Sequence, residues 1–171
     1  MNTDESWFRN TDWNPDIAAR FEAGLRHAHD KAQFLRIQAT SVAPREPEVA
    51  LQLLDRYFAL PVRLFEAWAR ELQGRVHESL GDDAAALVSY LAALEAERLK
   101  PSVVSRSHLR LAELVLRRAD EARYLDALAA MQARESHTET ALEEFARCAA
   151  SAQLLERLGD APRARDYARA A

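Results

Sequence analysis

The chain has 171 residues, enough for one ordinary domain that buries roughly 70% of its unfolded surface. Alanine, leucine, arginine and glutamate dominate and there are only four glycines and six prolines, which favours long helices and leaves little material for strands. The formal net charge of −4 argues against general affinity for nucleic acid, and no apolar run reaches the roughly 18 residues of a membrane span.

The opening "MNTDESWFRN" is polar and acidic, unlike a secretory signal, and the single Cys148 allows no intrachain disulfide framework, so a reducing cytoplasm is the expected location. A helix start follows: Asn14 can cap, Pro15 suits the first helical position, and Asp16 favours the positive end of the dipole. Ile17, Phe21, Leu25 and Ala28 then recur at helical spacing, with a break expected near "HAHDK". Pro44 ends a second helix and Pro47 opens a third, which Pro61 separates from "VRLFEAWARELQGRVHESL". Gly81 punctuates before "DDAAALVSYLAALEAERL", and Pro101 divides that run from "SVVSRSHLRLAELVLRR" and the following "ADEARYLDALAAMQA". "SHTETALEEF" holds two overlapping capping-box patterns, Ser136 with Glu139 and Thr140 with Glu143, ahead of a last helix pair divided by Gly159. Helices of about a dozen residues joined by short turns are expected to pack antiparallel.

One glycine needs a separate reason. Gly74 lies inside a strongly helical run, where glycine costs about 1 kcal/mol relative to alanine. "AWARELQGRVHESLGDDAAALVSYLAALEAERLKP" resembles the tetratricopeptide repeat, a helix–turn–helix unit of about 34 residues. The resemblance puts Gly74 at position 8, where the two helices approach closely, and Gly81 at position 15, in the turn. Ala86, Tyr90 and Ala93 then take positions 20, 24 and 27. Gln73 at position 7, where leucine is usual, His77 at position 11 and the late Pro101 depart from the pattern. Three further segments fit loosely. Gln38, Ala50, Leu54 and Tyr57 occupy positions 8, 20, 24 and 27 of the first. Ala112, Ala119, Tyr124, Leu128 and Met131 occupy positions 8, 15, 20, 24 and 27 of the third, and Ala152, Gly159, Ala164, Ala168 and Ala171 those of the last. The spacing drifts to roughly 36–40 residues. The expected fold is all-α, antiparallel helix pairs stacked as a degenerate TPR-like α-solenoid. Residues 1–30 would form a cap and helix and residues 31–171 about four helix pairs; a non-repeating helix bundle is the alternative.

The front end, "WFRNTDWNPDIAARFEAGLRHAHDKAQFLRIQA", is similar to the opening of a bacterial group of tetratricopeptide-like proteins of largely unassigned function, through Trp7, Arg9, Trp13, Phe21, Leu25 and "AQFLRIQA". That resemblance implies the architecture and no activity. Trp7, Phe8 and Trp13 ahead of a capped helix are expected to cover the apolar end of the first repeat.

Candidate chemistry is sparse. His27 and His29 point to different sides of a helix and make a poor metal pair, and His77, His108 and His137 have no companion at ligand spacing. Cys148, in "FARCAASAQ", reads as a buried structural thiol. No phosphate-cradling glycine loop, nucleophile elbow or dinucleotide fingerprint is present, and Asp82–Asp83 and Glu143–Glu144 read as helix-start charges, so no enzyme, cofactor or metal is expected.

Charge is distributed unevenly. Between Arg98 and Arg123 seven basic residues face three acidic ones, and Arg106, Arg110 and Arg117 share one helical stripe. In the register these occupy positions 2, 6 and 13 of a first helix, which line the concave face of such solenoids. Trp68, Glu71, Arg75 and Glu78 fall at positions 2, 5, 9 and 12 of the preceding one. Trp and Arg are enriched at interface hot spots, so these seven residues form the expected partner-binding set, facing a protein with an acidic surface or segment. The expected function is a non-catalytic protein–protein interaction module, with a toxin-neutralising immunity protein or other specific inhibitor as its sharpest form. A secretion chaperone or adaptor, or a regulatory domain binding a peptide or small signal, is the alternative.

Overall fold

Several helices begin where a side chain can satisfy their first amides. In a computed structural model, which describes residues 7–61, 63–135 and 140–171, Asn14 Oδ1 accepts the Ile17 amide at 2.9 Å and opens α1, Pro15–His27. Asp30 Oδ1 does the same for the Gln33 amide at 2.9 Å, opening α2, Lys31–Val42, so the "HAHDK" break lies where expected. Pro47 is the first residue of α3, Pro47–Phe58, and α4 follows as Glu66–Ser79. After it come α5 (Asp83–Leu99), α6 (Ser107–Arg118), a short 3-10 turn (Glu121–Arg123), α7 (Tyr124–Gln132), α8 (Ala141–Arg157) and α9 (Ala161–Ala170). Thr140 and Glu143 form the expected capping box at the start of α8; the Ser136–Glu139 pair lies outside the described residues. All regular structure among the described residues is helical, with no strand. Among the described residues no helix is long and apolar enough to cross a membrane.

Three interhelical turns share one geometry. Gly81, Ala119 and Gly159 adopt left-handed φ values of 78°, 53° and 81°. Each is followed by an aspartate whose amide reaches back five residues: Asp82 to the His77 carbonyl at 2.9 Å, Asp120 to Val115 at 3.0 Å, and Asp160 to Leu155 at 2.9 Å. This is the Schellman closure of a helix end, which favours glycine because only glycine avoids a Cβ clash in that conformation. Asp82 and Asp160 then cap the next helix through the amides of Ala85 and Arg163. Ala119 takes the same turn without glycine, at a cost of about 1 kcal/mol. Ala119→Gly should therefore raise stability by up to about 1 kcal/mol in a denaturant titration. A destabilised variant would mean that the turn is not held in this geometry.

The chain divides into two compact units, Met1–Ser89 and Tyr90–Ala171, with the boundary inside α5. In the first, α2 packs on α3 and α3 on α4 around Leu35, Ala39, Val42, Leu53, Leu54, Tyr57 and Leu72. In the second, α6 packs on α7 and α8, α7 on α8, and α8 on α9, around Leu111, Leu114, Val115, Met131, Leu154 and Leu155. Cys148 is buried there, as expected.

Most of the residues placed at helix contacts in the expected register are buried. Gln38, Ala50, Leu54 and Tyr57 are buried, as are Gly74, Ala86, Tyr90 and Ala93, and Ala112, Tyr124, Leu128 and Met131. Gly74 is buried inside α4. The last segment departs. Ala168 and Ala171 are exposed, and with Phe145, Ala149 and Ala152 they border an open groove of about 530 Å³.

The aromatic front end covers the first core. The Trp7 indole lies 5.5 Å from the Phe21 ring and 5.0 Å from Phe34, Phe8 lies 4.7 Å from Phe34, and Trp13 lies 5.7 Å from Phe21. Such tilted and edge-on pairs contribute beyond their buried area. Gly24 supplies the seat: a Cβ there would lie 2.5 Å from Cδ2 and Cε3 of Trp7. Gln38 supplies a polar lock. Fully buried, its Oε1 accepts the Asn10 amide at 3.1 Å and its Nε2 donates to the Asn10 carbonyl at 2.8 Å. That two-way bond gives the buried Gln38 amide its partners.

Candidate functional site

The residues expected to bind a partner fall in both units. On α4, Trp68 is 41% exposed, Arg75 is exposed, and Glu71 and Glu78 are half-buried. Trp68 does not stand alone. Phe65, just before α4, stacks on it at 5.0 Å with an interplanar angle of 12°. Arg36, on α2, lies over both rings, 5.2 Å from the Phe65 centroid and 5.4 Å from that of Trp68. A guanidinium over two aromatic faces is attracted by both ring quadrupoles.

The cluster rests on the connection between α3 and α4. Arg63 donates through Nη1 to the carbonyls of Phe58 and Leu60, at 3.2 and 2.6 Å, and through Nε to Glu66 at 3.0 Å. Arg70 also reaches Glu66, at 3.5 Å, and lies 3.7 Å over the Phe58 ring. These contacts fix the loop that presents Phe65 and Leu64, the latter 47% exposed.

Arg36 is the unusual charge here. Its side chain is half-buried, and its Nε is buried without a hydrogen-bond acceptor. Burial pushes its pKa down from the ordinary guanidinium range, and the nearby Tyr57 and Asp30 partly offset that. Beside it opens a cleft of about 480 Å³, lined among others by Lys31, Tyr57, Leu60, Leu64 and Phe65.

In the second unit the three arginines are placed differently from one another. The expected stripe puts Arg106 inside the helix, but α6 begins at Ser107, and Arg106 sits at the cap position with Nε donating to Glu143 at 2.7 Å. Glu143 is the capping-box carboxylate of α8, and hydrogen bonds from Thr140, with help from Arg106, hold its pKa below the usual carboxylate range. Arg106 therefore steadies a helix start. Arg110 pairs with Glu113 one turn along α6, at 3.2 Å. Arg117 is exposed and borders a cleft of about 500 Å³ with Leu109, Glu113, Gln153 and Arg157.

The second unit also holds a buried polar cluster. The Glu97 carboxylate accepts the Ser105 amide at 2.7 Å and the Ser105 hydroxyl, and the Ser105 and Ser107 hydroxyls are 2.8 Å apart. His108 is 3% exposed, with Arg134 and Arg147 buried nearby. Desolvation, then the Arg134 charge, lowers its pKa to about 4, against smaller upward contributions from Glu143 and the Ser105 backbone. The imidazole is neutral at pH 7 and shielded from solvent. Of the other histidines, His27 and His29 are both exposed, one at the end of α1 and one in the following turn. No group of three or more metal-ligating side chains occurs among the described residues.

Arg36 and Phe65 were missed by sequence reasoning. Helical spacing relates residues of one element, whereas this cluster joins α2 to a loop about thirty residues later. The one available signal was "LFEAW", whose two aromatics three apart straddle a helix start.

Neither a family model, nor a curated protein, nor a solved structure matches the chain.

Proposed function

We propose that this chain is a non-catalytic protein-binding module that contacts its partner through Trp68 and the side chains around it. The observation that supports this reading is Trp68 itself: a tryptophan 41% exposed, held flat by Phe65 and Arg36 and so presented at little entropic cost. Arg75, exposed on the same helix and without an ion pair among the described residues, adds a charge for an acidic partner. In the second unit Arg106 and Arg117 are both exposed, Arg106 in an ion pair with Glu143. A specific inhibitor, such as a toxin-neutralising immunity protein, is the narrowest form of the proposal, because blocking an enzyme needs surface complementarity and no catalysis.

The test is affinity capture with the full chain, followed by titration of the purified partner. Trp68→Ala should weaken binding by about 2 kcal/mol, the hot-spot scale. Arg75→Glu should slow association and make it less salt-sensitive, with the melting temperature unchanged in both variants. Arg106→Glu is a poor probe, since it would set a carboxylate against Glu143 and disturb α8. If Trp68→Ala and Arg75→Glu fold normally and bind with full affinity, the interface lies elsewhere.

A further inference from the structure

The solvent side of α8 carries an apolar stripe. Leu142, Phe145, Ala149, Ala152 and Glu156 follow one another at intervals of three and four residues, so they lie along one line of the helix. That line runs away from the buried Arg147, Ser151 and Leu154, and on it Leu142 is 77% and Phe145 52% exposed. An outward helix face carries polar side chains when water is its only neighbour, and large apolar residues on it mark a contact with another molecule. The stripe is also graded in size. Its bulky residues stand at the N-terminal end of α8, while Ala149 and Ala152, with Ala168 of α9, line the open groove of about 530 Å³. The same groove is lined by one carboxylate, Glu156, and one guanidinium, Arg165, both exposed and neither in an ion pair among the described residues.

We infer that this face binds a second copy of the chain, with the two α8 helices antiparallel about a two-fold axis. The stripe is complementary to its own reverse. Antiparallel pairing sets the bulky end of one α8 on the small end of the other, so that each Phe145 meets the alanines of the opposite copy. A parallel pairing would set Phe145 against Phe145 and leave both grooves unfilled. Charge selects the same occupant. A two-fold pair brings one acid and one base from each copy to a shared contact, so Glu156 and Arg165 each gain an opposite charge. An occupant of a single sign would satisfy one of them and be repelled by the other. Trp68 and Arg75 take no part, so this contact does not depend on the partner-binding reading.

The test is sedimentation equilibrium of the full chain from low to high micromolar concentration, which should show a reversible monomer–dimer equilibrium. Phe145→Asp, at an exposed position, should leave the helical content unchanged and hold the chain monomeric throughout the range. Glu156→Arg should weaken the dimer about tenfold or more, and adding Arg165→Glu to it should restore the affinity, the mark of a pair made across the axis. Should Phe145→Asp not fold, the two charge reversals, both at exposed positions, still decide the matter.

A chain that stays monomeric over the whole range, or one that forms assemblies larger than a dimer, would overturn the inference. So would a dimer that Phe145→Asp leaves intact, or a double reversal that binds no more tightly than Glu156→Arg alone.

Discussion

Trp7→Ala should destabilise the protein by about 3 kcal/mol, the low end of the range for truncating a large aromatic, because Trp7 is half-buried. The indole touches Phe8, Phe21 and Phe34 at once, so its loss opens the seat over Gly24 and uncovers the first core. For a chain of this length that lowers the melting temperature by several degrees. The Gly24 side of the contact gives a sharper test. In the unaltered protein Gly24→Ala forces a methyl into the indole and should destabilise by about 1–3 kcal/mol. In the Trp7→Ala background the same change should stabilise by about 1 kcal/mol, since alanine is then simply the better helix former. A Gly24→Ala variant that is neutral or stabilised with Trp7 present would mean that the indole does not occupy this seat.

Acid should cost the second unit about 3 kcal/mol through His108 alone. Its folded pKa of about 4 lies below the ordinary 6.5, so the folded state holds the imidazole neutral where the unfolded chain protonates it. Stability from this source is complete above pH 6.5, falls as the pH drops from 6.5 to 4, and is level below 4. At about 1.4 kcal/mol for each pH unit of separation, the loss amounts to about 3 kcal/mol. The groups that set the value are the Arg134 and Arg147 charges, which add to burial, and Glu143 and the Ser105 backbone, which oppose it. Denaturant titrations at pH 7.5, 5.5 and 4.5 measure the fall, and His108→Leu should flatten it. If the two proteins lose stability in parallel, His108 is not the group responsible.

What could be read from the residues, and what could not, divides along a physical line. Caps and turns are local. Asn14, Asp30, Pro47, Thr140, Gly81 and Gly159 act on amides within a turn of themselves, and each marks a boundary close to where sequence places it. The partial burial of Trp7 and Trp13 was legible because large aromatics ahead of a capped helix have little else to cover. Ala119 was legible by register and not by type, since alanine rarely enters the left-handed region. Arg106 stands just before the first residue of α6, and its side chain pairs with Glu143 at the start of α8, a contact 37 positions away that helical spacing does not encode. Nothing in the spacing of Arg36, Phe65 and Trp68 could reveal their contact. It depends on how the α3–α4 loop folds back over α2, and Arg63 sets that through three hydrogen bonds to neighbouring groups. His108 gave no sign of burial either, because an isolated histidine on an amphipathic helix suits either face.

The bond between Asn10 and Gln38 bears on the order in which the molecule assembles. Asn10 is translated before its partner, which is made 28 positions later, after both helices that form the indole seat have begun. The front end thus has nowhere to settle while it is being synthesised, and it joins a platform that must already exist. This segment is translated before its platform and docks after it. In the finished protein it should also be the first to open, so hydrogen exchange at the Asn10 amide should report excursions of the cap that leave the interior of α2 and α3 protected.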